Sequence, residues 1–259
     1  MFRRRRTWAM LATIALIPIA LSVAVKLSGA VLVPGSGAPF LDRVSHNGLF
    51  VAFTATVLAI PLFLPLTIAV VAGDTIAGEA SAGTLRYLLI APVNRVRLLV
   101  VKYLSAAVFA AVAVTTLLLT GLLVGSLLFP VGPVTLLSGN VIPLSSALLR
   151  VALIDLYVTV SLLGLSALGL FLSTLTVVPV GAMAATVIVS TVMQILGSLP
   201  QVTVIHPVLV SYYWLGFADV LRNPLTYGSL MNNVLLQACY IAIFGAFSYT
   251  RFSGKDILT

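Results

Sequence analysis

Six runs of twenty or more predominantly apolar residues punctuate this chain, near Trp8 to Leu27, Leu49 to Ala72, Leu98 to Phe129, Val151 to Ser173, Val177 to Leu199 and Gly228 to Tyr249. Each is long enough for a helix to cross the roughly 30 Å hydrocarbon core of a bilayer. Backbone polar groups in that core must be satisfied within the segment, so such runs fold as helices. The expected fold is an all-α integral membrane protein with six transmembrane helices, a single unit over residues 1–259. Composition agrees: 61% of residues are hydrophobic and 8% charged, against about 25% charged in a soluble domain. Because five spans follow the first, it is read as a retained span and not a removable signal.

A net charge of +8 points to nucleic acid in a soluble protein, but here the placement of the cations argues for topology and no nucleic-acid partner is expected. Basic residues collect on the cytoplasmic side of membrane proteins. With six spans and an internal N-terminus, Arg3 to Arg6, Arg86, Arg95, Arg97, Lys102, Arg251 and Lys255 fall inside, while Arg43 and Arg222 fall in external loops. Both termini are therefore expected in the cytoplasm of a multi-pass plasma-membrane protein. Lys26 and Arg150 stand near external span ends and would snorkel outward. Cys239 is the sole cysteine, so neither an intramolecular disulfide nor a cysteine metal site is available.

The breakers are informative. Pro61 and Pro65 remove two backbone donors and should kink the second span, as a hinge or as a static bend. Gly121 and Gly125 form a GxxxG pair that permits close helix approach, expected to serve packing within the chain in preference to dimerisation. The external segment, about 200–227, mixes Pro200, His206, Pro207, Tyr212, Tyr213, Trp214, Asp219, Arg222 and Pro224 with apolar residues. It suits the membrane interface, where Tyr and Trp prefer to sit, or a substrate vestibule.

Between the second and third spans the chain changes character. Asp74 is placed to cap a helix with Glu79 in its first turns, Pro92 to stop it and Asn94 to cap the next. The expected helix, about 74–90, has Glu79, Gly83 and Arg86 on one side and Leu85, Leu88 and Leu89 as an apolar patch. It reads as an interfacial helix on the inner leaflet or as a docking helix for a cytoplasmic partner.

The pattern Glu79, Gly83-Thr84-Leu85, Leu88-Leu89, Pro92-Val93-Asn94-Arg95 and Lys102 resembles the cytoplasmic signature of type-2 permeases of the ATP-binding cassette (ABC) superfamily. Arg251-Phe252-Ser253-Gly254-Lys255-Asp256-Ile257 after the sixth span is similar to the end of many such permeases. The N-terminus departs from the family in offering only Met1 to Met10 where members often carry an amphipathic elbow helix. The resemblance implies that residues 74–90 are a coupling helix, with Asp74, Glu79, Gly83, Thr84, Arg86, Pro92 and Arg95 as coupling residues. It implies two permease halves, from a second copy or a homologous permease, and a separate cytoplasmic ABC ATPase subunit that holds ATP and Mg. No cofactor is expected on this chain, which has no G-x-x-x-x-G-K-[ST] phosphate loop and is expected to be a transport subunit and not an enzyme. The apolar spans favour export of a drug, lipid or hydrophobic peptide.

Two other classes compete. A secondary transporter places ionisable residues near the bilayer midplane, and Asp155 is the only acid inside a span. Counted from Val151 it stands about five residues, roughly 7 to 8 Å, from the external end, close enough for a structural ion pair with Arg150 or Lys26 or a place on the substrate pathway. An intramembrane hydrolase would need paired acids or a histidine-based site within spans, and His46 and His206 both fall at external boundaries.

Overall fold

The computed structural model describes residues 5–28, 40–83, 95–224 and 227–253. In chain order these form α1 (Arg5–Ser28), α2 (Leu41–Val44), α3 (Leu49–Ala59), α4 (Phe63–Ser81), α5 (Arg95–Leu128), a two-stranded antiparallel hairpin of β1 (Val134–Thr135) and β2 (Val141–Ile142), α6 (Leu144–Leu175), α7 (Pro179–Ser198), two 3-10 segments (Pro200–Val208 and Trp214–Leu221) and α8 (Tyr227–Ser253). Six helices, α1, α4, α5, α6, α7 and α8, are long and apolar enough to cross a membrane.

The proline pair acts as expected: the second apolar run breaks into α3 and α4 at Ile60–Leu62, with Pro65 in the first turn of α4 where a missing N–H costs least. One expected boundary is corrected. Asp74 does not start a helix, because α4 runs unbroken from Phe63 through Asp74 and Glu79 to Ser81. Gly83, at φ 68, follows it in the left-handed conformation that glycine adopts without steric cost. The first half of the expected 74–90 helix is thus the end of the second span, and Thr84, Arg86 and Pro92 lie outside the described residues.

The chain divides into two compact units. The first comprises Met1–Leu64, Ala111–Val158 and Leu215–Leu230. Its core is the Phe40, Phe50 and Phe53 cluster, with ring centroids 5.7 to 6.4 Å apart, and a close crossing of α3 on α5. A Cβ on Gly125 would run into the carbonyl of Gly48, and one on Gly121 would lie 2.7 Å from the Ala52 Cα. The GxxxG pair therefore serves packing within the chain. Asn47 closes the same end, donating to the Gly132 and Pro133 carbonyls at 3.1 and 3.2 Å and accepting from the Leu49 N–H.

The second unit comprises Pro65–Ala110, Thr159–Trp214 and Met231–Thr259. Here small residues bring α4, α6 and α7 together: Gly169 packs on Ala72 and Thr186, and Gly73 on the Met183 backbone. A buried polar chain links α6, α8 and Trp214, the residue that opens the second 3-10 segment. Asn233 Nδ2 donates to Ser161 Oγ at 2.7 Å, Gln237 Nε2 to Asn233 Oδ1 at 3.1 Å, the Gly164 N–H to Gln237 Oε1 at 3.2 Å and Trp214 Nε1 to the Ser161 carbonyl at 3.0 Å. Trp214 thus packs as a buried core residue in this unit and does not sit as an exposed interfacial ring.

Candidate functional site

The charged chemistry of the second unit collects where α4 ends and α5 begins. Ser173, near the end of α6, inserts its hydroxyl beside the α4 backbone. Its Oγ accepts from the N–H groups of Ile76 and Ala77 at 3.1 and 2.9 Å and donates to the Gly73 carbonyl at 2.7 Å. Nothing in the sequence singles out this serine, since serine in an apolar run is ordinary, and the close packing of Gly169 on Ala72 brings it within reach. Ser173→Ala would leave buried backbone groups of α4 without this partner, a loss of about 1–3 kcal/mol. The expected result is a lower melting temperature in detergent with membrane insertion unchanged; an unaltered melting curve would mean that the hydroxyl does not hold α4.

Beyond this point Glu79 pairs with Lys102, two turns into α5. Arg95, the first residue of α5, donates from Nη1 to the Phe252 carbonyl at the end of α8, 3.0 Å away. Helix C-termini leave carbonyls without intrahelical donors and carry partial negative charge, so an arginine there answers both needs. Under these polar contacts Ile76, Leu99, Leu170 and Phe252 form a buried cluster with Leu98 and Tyr103 packed on it. The ends of α4, α5, α6 and α8 are thereby tied at one place. Asp74 lies one turn before Gly78, where a Cβ would come within 2.6 Å of the Asp74 carboxylate; the glycine makes room for the acid to lie along its own helix.

Asp155, Arg150 and Lys26, all in the first unit, do not come together as an ion pair. Asp155 Oδ2 accepts from the Thr115 hydroxyl at 2.8 Å, and Oδ1 is buried without a hydrogen-bond partner among the described residues. Arg150 donates to the Val220 carbonyl and, at 2.8 Å, to that of Arg222. Lys26 donates to the Leu128 carbonyl at 3.1 Å and lies 5.8 Å from the Phe129 ring centroid. Asp155 stands eleven residues along α6 from Leu144, about 16 Å at 1.5 Å per residue. Arg43 follows the same habit as the other cations, reaching the Thr135 carbonyl at 2.9 Å. Among the described residues no group of three His, Cys, Asp or Glu side chains gathers as a metal site would require.

These features define a helical, multi-pass membrane protein. Residues 13–258 match the family described as "Protein of unknown function (DUF2705)", and the chain belongs to that family. No curated protein matches it.

Proposed function

We propose that the chain is the permease subunit of an ATP-driven ABC transporter, exporting a hydrophobic or amphipathic substrate with a separate ATPase subunit. The observation that carries this reading is the bracing around residues 84–94, where the permease-like pattern lies. Glu79 and Lys102 join the chain on either side of that segment, and Arg95 ties its far end to the last turn of α8. A force applied there by a partner would reach the second, third and sixth spans together. In this reading Glu79, Gly83, Thr84, Arg86, Pro92 and Arg95 belong to the coupling element, Asp74 supports it from within α4, and both termini face the cytoplasm. ATP and Mg bind the partner, and a second permease copy or homologue completes the pathway.

One observation favours a second reading, ion-coupled secondary transport. Asp155 lies within a helix long and apolar enough to cross a membrane, with one buried carboxylate oxygen that no described residue satisfies, and ionisable groups within such helices mark ion and proton pathways. Transport by vesicles containing this chain and its ATPase decides between them. Uptake is expected to require ATP and to persist after ion gradients are collapsed, with Asp155→Asn leaving that ATP dependence intact. Gradient-driven uptake by the chain alone, abolished by Asp155→Asn, would replace the permease reading.

A further inference from the structure

Where α6 and α8 end side by side, Phe171, Leu175, Phe247, Thr250 and Arg251 line an open groove of about 490 Å³. Its floor is aromatic: Phe171 lies 5.6 Å from Phe244 and 5.7 Å from Phe247, centroid to centroid, and Tyr240 continues the row at 5.6 Å from Phe244. At the rim stands Arg251, exposed and with no hydrogen bond or ion pair among the described residues. We propose that this groove binds one anionic phospholipid, with an acyl chain along the phenylalanine rings and the phosphate on the Arg251 guanidinium.

The placement argues for a lipid. Phe247 remains half exposed on an apolar helix, six residues or about 9 Å from the end of α8, and Leu175, also half exposed, is the last residue of α6. In a bilayer that meets these helix ends Phe247 would face the first acyl carbons and Arg251, one turn nearer the end of α8, the headgroups. A guanidinium matches phosphate oxygens with two parallel N–H donors, and basic pockets between transmembrane helices recognise anionic headgroups. Thr250 does not compete for the phosphate, because its hydroxyl already donates to the Phe247 carbonyl at 3.0 Å. An apolar occupant would cover the rings and leave the exposed Arg251 cation without a counter-charge; an anionic lipid satisfies both halves. The inference is independent of the permease reading, since it holds for whichever leaflet meets these helix ends.

The test uses the full chain in phosphatidylcholine nanodiscs containing a trace of photoactivatable phosphatidylglycerol or of phosphatidylcholine with the same diazirine-bearing chain. Mass spectrometry then locates the adducts. Phosphatidylglycerol is expected to label the peptides carrying Phe171 to Leu175 and Phe247 to Arg251 roughly fivefold more than phosphatidylcholine, as one interfacial cation implies. Arg251→Gln should bring the two lipids level while labelling persists, and Phe247→Ala should reduce labelling by both. Arg97→Gln, which removes an exposed cation at the start of α5 outside the groove, should leave the ratio unchanged. Equal labelling of the native chain by the two lipids, a preference that survives Arg251→Gln, or adducts to a second copy of the chain in place of lipid would each overturn the proposal.

Discussion

Gly125→Val is expected to prevent accumulation of the folded protein, whereas Gly132→Ala is expected to be silent. The added side chain at 125 meets the Gly48 carbonyl, which is backbone and cannot swing away, while nothing lies within 4 Å of a Cβ at 132. Overpacking against movable side chains costs about 1–3 kcal/mol, so a clash with backbone belongs at or above the top of that range. Gly121→Ala, facing Ala52 at 2.7 Å, should fall between the two. Size-exclusion profiles and thermal melts in detergent rank the three variants. Equal stability of Gly125→Val and Gly132→Ala would refute the α3–α5 crossing, and a variant that stays folded but loses self-association would move the GxxxG pair to a dimer interface.

The second large effect is functional and rests on the permease proposal. Glu79→Ala combined with Arg86→Ala is expected to lower substrate-stimulated ATPase activity of the assembled transporter by roughly tenfold or more, within the usual range of coupling between sites. The pair is largely buried, with 24% of the Glu79 and 19% of the Lys102 side chain exposed, so a thermal melt in detergent accompanies the assay to separate lost coupling from lost stability. A charge swap, Glu79→Lys with Lys102→Glu, separates two roles. Rescue by the swap means that the pair acts by holding α4 to α5; a defect as deep as that of Glu79→Ala/Arg86→Ala means that Glu79 itself meets the partner. Normal assembly and normal stimulated activity in the double alanine variant would remove the coupling role.

The presence of six helices long and apolar enough to cross a membrane among the described residues was legible because the length of an apolar run sets it almost alone. The break at Ile60–Leu62 was legible because proline removes a donor whatever surrounds it. Partner choice was not. Asp74 reads as a cap by residue type, yet an aspartate is tolerated inside a helix where Gly78 leaves space beside it, and that space depends on three-dimensional packing. Asp155 invited pairing with Arg150 or Lys26 because opposite charges were near in the expected topology. In the structure the cations instead take backbone carbonyls, with Lys26 at the end of α5 and Arg95 at the end of α8. Carbonyls at helix C-termini carry partial negative charge and compete for cations, and which of them comes within reach depends on the fold. Ser173 carried no sequence signal because its role depends on the close contact of α6 with α4 that Gly169 allows against Ala72.

The serine hydroxyl beside α4 divides that helix mechanically. Three hydrogen bonds fix it at Gly73, Ile76 and Ala77, which makes this point a fulcrum. The seven residues from Ala77 to Gly83 form a short lever arm, helical to Ser81, with Glu79 part-way along it. A displacement applied at Gly83 acts first on the Glu79–Lys102 pair. Moving the helix above Gly73 requires breaking the Ser173 contacts or carrying α6 along. Small motions at the tip therefore stay local, and a stroke large enough to strain the fulcrum recruits the fourth span.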